Sequence, residues 1–137
     1  MSINTGIIKF GGYRIQRLEY ECAASFIPDQ IEGGTYRYNI AHGSAQFEDK
    51  SIQVNLLVHA FYNDTEDYDS APYKIMVEIA GKFIMADGSD WDEKWLPNAI
   101  AILYPYVRAI VGSVTSQSGR ETITLPTINT QSLLDNE

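Results

Sequence analysis

Two histidines, His42 and His59, and a single cysteine, Cys22, are the side chains in this sequence best suited to act near neutral pH as bases, metal ligands or nucleophiles. Catalysis by such groups needs a partner placed to activate or orient them. The chain offers no Gly-x-Ser-x-Gly elbow, no phosphate-cradling glycine loop and no Cys/His pair at zinc spacing. His42 lies where the apolar pattern of one strand changes parity, and His59 lies on the less apolar side of the next, so both read as partly exposed sheet residues. Cys22 reads as a small strand residue and, having no second cysteine, makes no internal disulfide. The acidic runs Asp64 to Asp69 and Asp87 to Glu93 have carboxylates enough for calcium. Neither has the glycine at position six and the glutamate at position twelve that a calcium loop of the EF-hand type needs, and both read as solvated loop tips. The sequence thus predicts no catalytic residue, no metal ligand and no cofactor.

What remains is apolar surface, and the elements that carry it can be placed in order. Leu96 to about Gly119 predicts one long helix, on which Ile100, Leu103, Val107, Ile110, Val111 and Val114 share a stripe while Ile102, Tyr106 and Ala109 cover much of the remainder. Arg108 is its only charge. A helix apolar on nearly every side must be covered on nearly every side. Pro105 lies in its middle, where a missing N–H and a ring against the carbonyl of Ala101 cost about 3 kcal/mol unless the helix bends or restarts there. Gly119 suits the end of the helix, and Leu125-Pro126-Thr127-Ile128-Asn129 should be extended and packed down.

Four strands precede it. The first opens at Tyr13 and reaches Phe26, with residues 1–10 as a loose lead-in. In the second, Tyr36, Tyr38 and Ile40 alternate with Arg37 and Asn39 before the apolar parity shifts to Ala45 and Phe47, which predicts a bulge at His42-Gly43. The third puts Ile52, Val54, Leu56, Val58 and Ala60 on one face, with Leu57 and Phe61 making the other only half polar. The fourth puts Tyr73, Ile75, Val77, Ile79 and Phe83 opposite Lys74, Glu78 and Lys82. The predicted class is α+β, a four-stranded antiparallel sheet followed by one long helix, with any second C-terminal helix short or absent.

At 137 residues the chain suits one domain, 1–137, able to bury roughly two thirds of its unfolded surface. A net charge of −8 with no Lys/Arg cluster disfavours nucleic acid. Pro105 and Arg108 interrupt the best apolar run, so no membrane span is expected, and the lack of a basic and then apolar leader predicts the cytoplasm.

Tyr104-Pro105-Tyr106-Val107-Arg108, then Gly119, then Leu125-Pro126-Thr127-Ile128-Asn129 with Leu133 beyond, resembles the SecB family of export chaperones. Ile15-Gln16-Arg17-Leu18 resembles the opening of that family's first strand, and Gly81-Lys82-Phe83 a turn of its fourth. The resemblance covers roughly residues 13–134, with its specific part in the helix and the segment after it. It implies a dimer of dimers that holds unfolded polypeptides without nucleotide, the helices lying between sheets of neighbouring protomers. The acids by which that family touches the motor SecA do not align residue by residue here, Cys22, Ile27 and Met76 falling near their places, and none is carried over. The SecB-like chaperones that guard antitoxins offer an antitoxin as the other partner. SecB chains usually continue into a second helix, and this sequence ends at Glu137.

Together these readings predict a holdase with unfolded polypeptides as clients and a homo-oligomer as its form. Its client surface is expected at Tyr36, Tyr38, Ile40, Leu57, Phe61, Leu125, Ile128 and Leu133, and its oligomer interface at Ile102, Tyr106, Ala109, Val111 and Val114. Two other classes share the composition. An oligomeric adaptor would bury the same surface without a client. A hot-dog enzyme would place its helix early in the chain and a carboxylate upon it, and neither is present here.

Overall fold

The computed structural model describes residues 7–26, 36–62 and 67–132. Its elements are β1 (Ile8–Cys22), β2 (Tyr36–Gln46), β3 (Ile52–Tyr62), β4 (Tyr73–Met85), a single 3-10 turn (Glu93–Trp95) and α1 (Leu96–Ser116). One antiparallel sheet has the order β1-β4-β3-β2. The last three strands form a meander, while β1 lies across the sheet from β2 and pairs with β4.

β1 begins at Ile8, five residues before Tyr13, so residues 8–10 belong to the sheet and not to a lead-in. Its register slips between Phe10 and Tyr13 and again between Ile15 and Arg17. Gly12, at φ +103°, takes up the first slip in a conformation that a Cβ would oppose. Each slip inverts parity, so Ile8 and Phe10, then Tyr13 and Ile15, then Leu18, Tyr20 and Cys22 all face α1, opposite Met85, Phe83, Gly81, Ile79, Val77, Ile75 and Tyr73.

The bulge expected at His42-Gly43 is not there. β2 and β3 pair without interruption from Tyr36↔Tyr62 to Gln46↔Ile52. The apolar parity changes because Ala45 and Phe47 point away from the core, where both are exposed.

α1 packs on one sheet face through Leu96, Ala99, Ile100, Leu103, Val107 and Val111, all buried. It runs unbroken through Pro105, which is exposed, so the carbonyl that loses its N–H partner lies on a side open to water. By length and apolarity Glu93–Ser116 passes as a candidate membrane span, contrary to the expectation from Pro105 and Arg108. Its buried stripe on the sheet carries part of that hydropathy, with 39% of the apolar stretch buried. The helix ends at Ser116, and Gly119 at φ +75° begins the return of an extended segment, residues 119–128, which seats Ile123 and Leu125 in the core.

Candidate client-binding surfaces

The extended segment after α1 is tied down by four side chains. Thr115, fully buried, donates to the carbonyl of Val111 and accepts the Ile123 N–H at 2.9 Å. Tyr73 donates to the Glu121 carbonyl at 2.6 Å, and Tyr104 donates to the carbonyl of Pro126. Tyr36 donates to the Glu121 carboxylate at 2.7 Å. Burial pushes the Tyr73 phenol up to about 12. Burial and then the Glu121 hydrogen bond raise Tyr36, and burial raises Tyr38 and Tyr104, so all these hydroxyls stay protonated donors through the physiological range.

Against this segment the core opens into an apolar rim. Tyr36, Tyr38 and Ile40 project from the α1 side of β2, and Ile128 lies on the segment; all four are half-buried and packed on the core. β2 is an edge strand, so its outer backbone groups have no strand partner among the described residues. Tyr36, Tyr38 and Ile40 thus share one face of β2, and Ile128 lies on the segment that Tyr36 anchors through Glu121.

The other expected client residues do not join them. Leu57 and Phe61 pair with Ala41 and Arg37 and so lie on the opposite sheet face. There Phe61 is buried beneath Tyr68, whose ring meets it edge-on at 5.8 Å. Leu125 is 1% exposed and is part of the core, so the expectation of a free side chain there is corrected. Leu133 lies outside the described residues.

A second apolar surface flanks β1. Tyr106 stacks on Phe10 at 5.7 Å and tilts against Tyr13 at 4.6 Å while keeping 38% of its area exposed. Beside it stand exposed Tyr13, Leu18 and Ile15, the last 49% exposed, on the α1 side of an edge strand. Exposed Ala109 and half-buried Ile102 and Ile110 extend the patch along the helix. Ile102, Tyr106 and Ala109 were expected at an interface, and they do lie at one surface. Val114 is half-buried, and Val111 is fully buried against the sheet, with no area left for a second chain. Tyr13, Ile15 and Leu18 lie outside the interface expected from the sequence. Their signal was Tyr13 and Ile15 alternating with Arg14 and Gln16, hidden beyond that point by the slip before Leu18.

Among the described residues no group of three or more His, Cys, Asp or Glu side chains converges. Burial depresses the His59 imidazole, which lies 4.4 Å from the Tyr68 ring.

No known family profile matches the sequence. The Mycobacterium tuberculosis SecB-like chaperone Rv1957, solved with a ChAD peptide from the HigA1 antitoxin, superposes with a TM-score of 0.68 over 88% of this chain and 90% of its own, at 20% identity. The fold is SecB-like. In sequence, an uncharacterised protein of Methanocaldococcus jannaschii is 23% identical over 131 residues, 94% of this chain and 83% of that one. The SecB-like arrangement accounts for the element order, with four strands before the long helix, and this order separates it from hot-dog enzymes.

Proposed function

We propose that this protein is an ATP-independent holdase chaperone without catalytic activity. In this reading, unfolded segments are captured at the rim formed by Tyr36, Tyr38, Ile40 and Ile128, and copies of the chain assemble through the flank of β1 and α1. The observation that carries the reading is the pair of separate apolar surfaces on one small acidic protomer, one on each edge strand. Contiguous apolar area beyond a few hundred Å² marks interaction sites. Non-directional apolar contact, worth about 25 cal/mol per Å², suits a protein that must read greasiness and not sequence. The SecB-like fold supports it, as does the antitoxin peptide bound by the M. tuberculosis neighbour. An antitoxin or a pre-export chain is the client class this favours. SecA is a weaker partner, because Cys22 and Met76 stand near the places of the family's SecA-contacting acids. A cytoplasmic homotetramer is the assembly we infer from the resemblance.

The test is suppression of aggregation of a slowly refolding protein, without ATP, by substoichiometric amounts of the chaperone. Capture removes the aggregating species by mass action, so light scattering should fall as chaperone is added. A folded sample that leaves the scattering unchanged sinks the proposal. A hydrophobic dye that finds no surface on the intact oligomer would favour the adaptor.

A further inference from the structure

The sheet face turned away from α1 is divided by charge along its strands. Opposite residues in neighbouring strands share a face, so its composition follows from the register. Towards one end, Glu19 pairs with Met76 and Glu21 with Lys74, and the Tyr68 ring covers Phe61. Towards the other end, Lys9 pairs with Ile84, Lys82 with Gln53 and Gln53 with Ala45, while Arg14 pairs with Ala80, Ala80 with Asn55 and Asn55 with Gly43. Lys9, Arg14 and Lys82 therefore stand towards one end of the face among Gly43, Ala45, Ala80, Gln53 and Asn55, bordered by the Glu78 carboxylate, which accepts from Asn55 at 3.1 Å. Phe47, held to the sheet by its N–H on the Ser51 carbonyl at 2.8 Å, is 51% exposed there, and Ile84 is exposed as well.

Two shallow hollows flank Lys82. One of about 380 Å³ lies among Lys9, Phe10, Gly11 and Ile84, and one of about 180 Å³ among Arg14, Phe47, Ser51 and Gln53. Arg14 donates to Gln53 at 3.1 Å. Among the described residues none of the three bases is within ion-pair distance of a carboxylate. Lys82 acts at a distance on the Asp49 carboxylate, whose Oδ1 already accepts both the hydroxyl and the N–H of Ser51. In a chain of net charge −8, unpaired bases gathered around exposed Phe47 and Ile84 form a local field of the opposite sign.

We propose that this end of the outer face docks an acidic polypeptide segment of a partner protein, with carboxylates against Lys9, Arg14 and Lys82 and apolar side chains in the two hollows. The charge pattern selects that occupant. A basic segment would be repelled, and a second copy of this chain would bring the same bases face to face if it docked symmetrically. Three bases on a chain of this net charge are too few to hold a nucleic acid or an anionic membrane. The bases lie on the face opposite α1, away from the rim, although the larger hollow reaches Phe10 at the edge of the β1 flank, so the proposal is independent of client capture at the rim.

The probe is a fluorescein-labelled dodecapeptide in which Glu alternates with Leu and Ser, read by fluorescence anisotropy against the full chain. Binding is expected, with affinity falling about tenfold between about 50 and 300 mM NaCl because exposed charges are screened. The same peptide with Lys for Glu should not bind. Lys82→Glu with Arg14→Glu should abolish binding, and the milder Lys82→Gln should weaken it severalfold with unchanged circular dichroism. Ile40→Ser, on the opposite face, should leave it unchanged. Equal binding of the Lys peptide, insensitivity to Lys82→Gln, or loss with Ile40→Ser would each overturn the proposal. So would phosphatidylserine vesicles that bind the protein through Lys82 while the Glu peptide does not.

Discussion

Leu103 of α1 occupies the space that any side chain at Gly81 of β4 would need: a Cβ built on Gly81 would stand 2.5 Å from one Leu103 methyl and 3.0 Å from the other. The helix thus reaches the sheet through a missing side chain, and Leu103 is fully buried as a result. Gly81 has no positive φ, so the constraint is one of space alone.

Gly81→Ala should therefore lower stability by about 1–3 kcal/mol, because overpacking at a buried contact forces side chains off their preferred positions. Urea midpoints measure it. Leu103→Ala alone should cost about 2–5 kcal/mol, and the double variant should cost less than the two combined, since each substitution relieves the other. Strict additivity would contradict the close approach.

Thr115→Val should cost about 1–3 kcal/mol, because it keeps the shape but leaves the Ile123 N–H without its acceptor in a buried place. Amide hydrogen exchange at Ile123 should speed up more than exchange in β3. The extended segment forms one side of the rim, so aggregation suppression should weaken as well.

Leu125 and Ile128 should separate folding from capture. Leu125→Ala removes a core side chain and should cost about 2–5 kcal/mol of stability. Ile128→Ser touches a half-buried rim residue, so it should change the midpoint far less while reducing the suppression of aggregation. A variant pair behaving the other way round would place the client surface elsewhere.

Ile15→Glu with Leu18→Glu introduces charge on the exposed flank of β1. Light scattering coupled to gel filtration should show a smaller assembly than the wild type with the circular dichroism spectrum unchanged. An unaltered mass would remove the β1 flank from the interface.

His59 carries a pH dependence whose sign is set by burial. Its folded-state pKa is lowered, so the unfolded chain binds the proton more readily. The contribution of neutral His59 is complete above the unfolded value of about 6.5 and is lost as pH falls through the lower folded value. Between pH 7 and 5 the wild-type Tm should fall more steeply than that of His59→Gln, and equal slopes would contradict the assignment.

The strands most legible in the sequence were β3 and β4, whose apolar residues alternate without a break because one face is fully covered by α1 and the core. The start of α1 at Leu96 was legible too, because its stripe repeats at helical spacing, whereas Leu125, expected both packed down and open to a client, is buried and Pro126 beside it is exposed. β1 was harder. Two register slips bring Ile15 and Leu18 to the same face at a spacing of three, which no simple alternation predicts. The bulge assigned to His42-Gly43 came from reading Phe47 as a core residue, when it belongs to the exposed outer face.

The sequence by itself determined the kinds of elements, their order and the excess of apolar side chains, because periodicity and turn chemistry are local. The tertiary structure alone decided that β1 lies at the edge opposite β2, that Val111 and Leu125 are consumed by the protomer's own core, and that Tyr13, Ile15, Leu18 and Tyr106 stay open. It also gathered Lys9, Arg14 and Lys82 from two strands that are distant in the chain. Burial and charge clustering depend on which strand pairs with which and what covers each face, and those are long-range choices settled by packing the whole chain at once.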